Sequence, residues 1–175
     1  VAPPRLRIRK QSRVPGVDKA WLLGHIAGDG NVRDGSVRIW AGLDEKIAQE
    51  CARLFREIYG VASNITTHRP NGKLKHDNFE VVCSRVNVAE DVRNCAPFGL
   101  VRWRVPVAVA CGTDDVKGSW LSGLFDADGT CRGKPNRIIE LITINEVGMR
   151  QVGQLLAILG IGFKTGVTVY RNRKN

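Results

Sequence analysis

Two aspartates, Asp29 and Asp128, stand in matching settings 99 positions apart. The first closes the run Trp21-Leu22-Leu23-Gly24-His25-Ile26-Ala27-Gly28-Asp29-Gly30. The second closes Trp120-Leu121-Ser122-Gly123-Leu124-Phe125-Asp126-Ala127-Asp128-Gly129. Aligned without gaps, both read Trp-Leu-x-Gly-x-x-x-[Gly/Ala]-Asp-Gly. A lone Asp-Gly is usually a turn, but its recurrence at the end of two matching runs is not explained that way. In each run small residues recur four apart, Gly24 with Gly28 and Gly123 with Ala127, which is one face of a helix. Small faces let two helix backbones approach closely. If the two helices lie side by side, Gly30 and Gly129 stop them at C′, and Asp29 and Asp128 converge at adjacent C-termini. There each carboxylate opposes the helix macrodipole and repels the other. The arrangement gains nothing structurally and makes sense with a divalent cation between or beside the pair. Hard oxygen donors suit Mg²⁺, or Mn²⁺ in its place, and such ions activate water and stabilise the leaving oxygen of a phosphodiester. Asp126 aligns with Ala27 and stands outside the pair, as a local cap or salt-bridge residue.

The elements that must position this pair follow from periodicity. Asp18 is the expected N-cap of the first motif helix, running to about Gly28, and Trp120 is expected to open the second. Residues 36–43 read as a strand, with Arg38 and Trp40 on one face and Val37, Ile39 and Ala41 on the other. Asp44 caps an amphipathic helix with Ile47, Cys51, Leu54 and Ile58 on its buried stripe, stopped by Gly60. Strands are expected over 61–69 and 78–85, around the Pro70-Asn71-Gly72 loop, then a short helix over 86–96. After the second motif the order recurs: a strand over 137–144, a helix capped by Asn145 and ended at Gly160, and a strand over 163–171. The strand over 137–144 is apolar on both faces, so its register stays open. The chain thus divides into a basic arm (1–17), a first half (18–96), a linker (97–117) and a second half (118–175). A repeat of about 100 residues suits a pseudo-twofold pair rather than a solenoid. The second half is shorter: 46 residues follow Gly129, against 87 between Gly30 and Gly118.

Composition narrows the partners. The 175 residues are 43% apolar, enough for a packed interior. No apolar run reaches the roughly 20 residues of a membrane span, and no signal peptide is evident, so a cytoplasmic protein with no membrane partner is expected. The net charge of +10 favours a polyanion. Arg5, Arg7, Arg9, Lys10 and Arg13, interleaved with Pro3, Pro4 and Pro15, suit an arm lying along phosphates. Five cysteines without Cys-x-x-Cys spacing suggest neither a disulfide framework nor a zinc site, and His68 and His76 lack partners at ligand spacing.

At the two motifs the chain resembles the LAGLIDADG homing endonucleases, in their single-chain, two-motif form. The matches are residues 22–30 and 121–129, and the order of elements extends the resemblance over most of 18–171. It implies a mixed α/β fold, a pseudo-twofold pair of αββαββα halves with antiparallel saddle sheets, here with the second half shortened. It implies a monomer that binds double-stranded DNA in the major groove and cuts both strands at a centre built on Asp29 and Asp128. The carbonyls of Gly28 and Ala127 would complete the metal sphere. Family members often carry a Gln and a Lys near the end of the first strand of each half. Those places hold Ala41 and Gly42, then Thr143 and Ile144, which leaves Lys46, Arg38 or Lys164 to assist water. Base contacts are expected from one face of each strand: Arg38 and Trp40; Asn64, Thr66 and His68; Glu80 and Ser84; Lys164, Thr168 and Tyr170. The expected activity is a site-specific, Mg²⁺-dependent double-strand break in a long DNA site, as in intron homing. The coding element would be a mobile intron or intein, and the lack of obvious flanking protein-splicing sequence favours a free-standing intron-encoded enzyme. The alternative is a non-cutting protein of the same fold, an intron RNA maturase or a DNA-binding regulator.

Overall fold

Glycine brings the two motif helices together. In the computed structural model, which describes residues 15–33, 35–70, 75–132 and 138–167, helix α1 (Val17–Asp29) packs along α5 (Asp114–Asp128). A Cβ on Gly24 would stand 2.0 Å from the carbonyl oxygen of Trp120, and one on Gly123 would stand 2.0 Å from that of Trp21. The contact is reciprocal, as a pseudo-twofold axis between the helices requires. One turn on, a Cβ on Gly28 would fall 2.6 Å from the Ala127 methyl. Leu22, Leu23, Ile26, Trp120, Leu121 and Leu124 are buried around this crossing.

Capping sets where the helices start, and it differs from expectation at both motifs. Gly16 takes the N-cap of α1, while Asp18 sits in the first turn, where its charge suits the macrodipole. Helix α5 starts six residues before Trp120: Thr113 accepts from the Val116 N–H, and Asp114 and Asp115 fill the first turn. Neither helix stops on a left-handed glycine. Gly30 (φ −103°) and Gly129 (φ −78°) are extended and lead straight into strands. Glycine is needed there because a Cβ would meet the Ile26 and Phe125 carbonyl oxygens at 2.4 and 2.3 Å.

The first half runs α1, β1 (Gly30–Arg33), β2 (Ser36–Gly42), α2 (Glu45–Tyr59), β3 (Asn64–His68), β4 (Asn78–Cys83) and α3 (Val86–Cys95). Its strands form one antiparallel sheet in the order β1-β2-β4-β3. Asp44 caps α2 by accepting from the Lys46 N–H, and Gly60 ends it at φ 67°. Along β2, Val37, Ile39 and Ala41 are buried and Arg38 and Trp40 exposed, the expected alternation. Strand β1 was absent from the sequence-based reading, and β3 is shorter than the expected 61–69.

The second half follows the helix α4 (Val107–Ala110), which lies inside the expected linker. It runs α5, β5 (Gly129–Arg132), β6 (Ile138–Leu141) and α6 (Glu146–Ile158), with β5 and β6 paired antiparallel. Asn145 caps α6 through the Gly148 N–H and donates to the Trp103 carbonyl at 2.7 Å. Trp103 in turn packs on Trp120, ring centres 6.2 Å apart. The strand expected over 163–171 is not found at 163–167, and 168–171 lie outside the described residues. The first half supplies a reason: β3 pairs only with β4, and the described residues after α6 include no counterpart of β4. The basic arm up to residue 14 also lies outside the described residues.

Candidate active site and nucleic-acid interface

Both motif helices end in an aspartate, and their pseudo-symmetric packing sets the two carboxylates side by side. The Asp128 Cγ lies 3.4 Å from where a Gly28 Cβ would sit, which is ordinary van der Waals contact, so the Asp128 carboxylate stands directly beside the end of α1. Burial first, and the neighbouring Asp128 carboxylate second, raise the Asp29 carboxyl to about 6. Burial raises Asp128 as well. A carboxylate pair held this way favours whatever neutralises it, a shared proton or a cation. The last carbonyls of each helix, those of Gly28 and Ala127 among them, lack partners within the helix. The donor set is therefore all hard oxygen, which fits Mg²⁺ or Mn²⁺. Among the described residues no third His, Cys, Asp or Glu joins the pair, so the remaining coordination positions would fall to carbonyls, water or phosphate.

A cleft of about 230 Å³ opens beside Asp128, lined by Gly28, Leu100, Trp103, Ile142, Thr143 and Ile144. Thr143 and Ile144, the places where a Gln and a Lys were expected, do face the acidic centre. None of Lys46, Arg38 and Lys164 lines this cleft. Thr143 Oγ1 accepts from the Asn145 N–H at 3.1 Å, which leaves its O–H free to donate into the cleft. Among the described residues Asp126 neither caps a helix nor pairs with a cation. It accepts from Trp21 Nε1 at 2.8 Å across the helix crossing. The pseudo-symmetric acceptor for Trp120 would be Ala27, and among the described residues Trp120 Nε1 is accordingly without a partner.

The first sheet carries the candidate nucleic-acid surface. Directly opposed residues share a face, and the register sets Asn31 against Arg38, Trp40 against Glu80 and Glu80 against Thr66, with Asn64 and His68 alternating on the same side. Thus Arg38, Trp40, Asn64, Thr66, His68 and Glu80 come to one face, as expected. Ser84 lies just past the end of β4 and is exposed. Glu80 differs from expectation in being buried, 8% exposed, and paired with its neighbours rather than free for a base. Lys164 is exposed but on no strand, and Thr168 and Tyr170 lie outside the described residues. Sequence reasoning missed Asn31, Arg33 and Ser36, which with Arg38 line a second cleft of about 330 Å³. The signal was present in the sequence Asp34-Gly35, since Asp-Gly is a common hairpin dipeptide, and Gly35 has φ 77°.

Comparison with known proteins agrees with this architecture. The family model of a LAGLIDADG-like domain matches residues 115–175. A crystal structure of the N-terminal LAGLIDADG domain of DUF199/WhiA superposes with a TM-score of 0.59 at 14% identity, covering 96% of this chain and 75% of that one. The fold is that of a LAGLIDADG domain. Among curated proteins, the ribonucleoside-diphosphate reductase NrdEB subunit alpha of Bacillus subtilis (strain 168) is 23% identical over 176 residues, and the corresponding subunit of Bacillus phage SPbeta matches equally. The match takes in 90% of this chain but only 15% of those proteins. The LAGLIDADG family match covers the second motif, and the superposition extends over both halves.

Proposed function

We propose that this LAGLIDADG-fold chain is a site-specific DNA endonuclease that makes a divalent-metal-dependent double-strand break. The observation that carries the reading is the pair Asp29 and Asp128, one from each half, held partly buried against each other at two helix ends. One carboxylate per half suits a duplex with two strands to cut. Asp29 and Asp128, with the Gly28 and Ala127 carbonyls, would hold Mg²⁺ or Mn²⁺. When bound, such an ion supplies Lewis-acid polarisation of the scissile phosphate and a more acidic water. The chain's own groups bind and orient: Arg33 and Arg38 offer positive charge to the backbone and bases, and Thr143 offers a hydroxyl beside Asp128. The similar stretch in the two reductase subunits sits within much longer chains, which supports residence as an inserted, mobile segment over a free-standing enzyme.

A second reading, a non-cutting nucleic-acid-binding protein of the same fold, is favoured by the cleft beside Asp128. Its lining is apolar apart from Thr143 and the aspartate, with no cation to assist water. One experiment separates the two. Duplexes retained by the protein from a randomised library are incubated with Mg²⁺ or Mn²⁺ and their ends mapped. The nuclease reading expects staggered breaks that fall at least about a hundredfold in Asp29→Asn and Asp128→Asn while binding persists. Retained duplexes that stay intact with both metals leave the binding reading standing.

A further inference from the structure

A buried carboxylate in the middle of a basic, polyanion-facing sheet calls for an explanation. Glu80 lies on the central strand β4, opposed by Trp40 on β2 and by Thr66 on β3. Its diagonal neighbours are Arg38 and His68, and it reaches both. Oε1 stands 3.5 Å from Arg38 Nη1, and Oε2 stands 3.2 Å from His68 Nε2. With the imidazole proton on Nε2, His68 donates to the carboxylate. The His68 ring packs against Trp40, centres 5.0 Å apart and planes tilted by 35°. Glu80 is thus the hub that ties exposed Arg38 and Trp40 on β2 and half-buried His68 on β3 into one surface.

We infer that Glu80 is a positioning residue for base readout, fixing Arg38 and His68 on the sheet face before DNA arrives. This rests on the reading of that face as the DNA interface. One Arg38 N–H is taken by Glu80, which leaves the other guanidinium donors for a guanine edge. Long side chains lose rotamer freedom when they bind, and ordering them beforehand lowers that cost. The negative charge also weakens the pull of Arg38 towards phosphate, which every sequence offers alike. Glu80 therefore gives up total affinity in exchange for discrimination. A carboxylate that itself read cytosine would need to be exposed, and Glu80 is covered.

The test uses duplexes enriched by the unmodified protein from a library with a random core. Glu80→Gln keeps the shape and removes the charge, and Glu80→Asp keeps the charge and shortens the reach, so either carries the test should the other not fold. Both are expected to lose about fivefold or more in discrimination, at the same base pairs that Arg38→Ala and His68→Ala relax. Glu80→Gln should also bind random duplex more tightly, with the slope of log K against log salt steeper by up to about one. Added to Arg38→Ala and His68→Ala together, it should cost no further discrimination. Unchanged discrimination overturns the inference, as does relaxation at a base pair that neither Arg38 nor His68 affects, which would make Glu80 a reader in its own right. Uniformly weaker binding with a lowered melting temperature would make its role merely structural and also overturn it. A parent protein that enriches no duplex sinks the DNA reading, and this role with it.

Discussion

Asp29 is the residue at which stability and the proposed function pull apart. Its carboxyl is raised from 3.8 to about 6 by burial and by Asp128. A carboxyl raised in the folded state binds its proton more tightly there than in the unfolded chain. The fold is therefore strained by this group above about pH 6, and the strain is relieved as pH falls towards 4. Discounted for its partial solvent exposure, the effect is about 1 kcal/mol, or about 2–4 °C for a chain of this size. Asp29→Asn is expected to melt about that much higher than the parent at pH 7.5 without metal, and to lose the advantage near pH 4. Millimolar Mg²⁺ should raise the parent's melting temperature at pH 7.5 and leave Asp29→Asn nearly unmoved. A variant that melts lower than the parent at pH 7.5 would mean the carboxylates are not in conflict.

At the level of elements, the fold depends on one helix crossing. Gly24→Ala drives a Cβ to 2.0 Å from the Trp120 carbonyl oxygen, a backbone atom that cannot give way without moving α5. The expected cost is about 3 kcal/mol or more. Gly60→Ala serves as the control: its φ is 67° but nothing lies within 4 Å, so the cost is backbone strain of about 1 kcal/mol. Denaturant midpoints would rank the two, and equal losses would contradict the close crossing. This crossing was legible in the sequence because small residues four apart have few other uses in a helix end that occurs twice. The convergence of Asp29 and Asp128 followed from it. Strands β1 and β5 were not legible, since four residues that start on a motif glycine read as the tail of a helix stop. Alternation put Glu80 on the correct face, yet its burial and its two partners depend on the register of three strands. No single strand's sequence carries that information. Asp126 was misread for a related reason, as its partner Trp21 lies 105 positions away on the other motif helix.

Across the whole molecule the pseudo-twofold is near at the helices and broken at the sheets. Register places Ile139 on β6 where Val37 lies on β2, opposite Cys131 and Val32 respectively. Val37 is 0% exposed, with α1, α2 and α3 all packed on β2, whereas Ile139 is 69% exposed and Ile138 61%. Among the described residues no helix after α6 takes the place of α3, and no strand extends the sheet beyond β6. Burying a valine is worth about 1.5–3 kcal/mol, so Val37→Ser should destabilise the protein by about 2 kcal/mol or more. Ile139→Ser should change stability by less than about 0.5 kcal/mol. Local opening should follow the same asymmetry. Amides paired between β5 and β6 are expected to exchange at least about tenfold faster than those paired between β1 and β2. Equal protection of the two sheets, or equal losses from the two substitutions, would contradict this asymmetry. Unequal protection would make the β5–β6 sheet the one that opens more readily. On the proposed DNA reading, the salt dependence of binding would then be set mainly by the first sheet, where Arg33 and Arg38 stand.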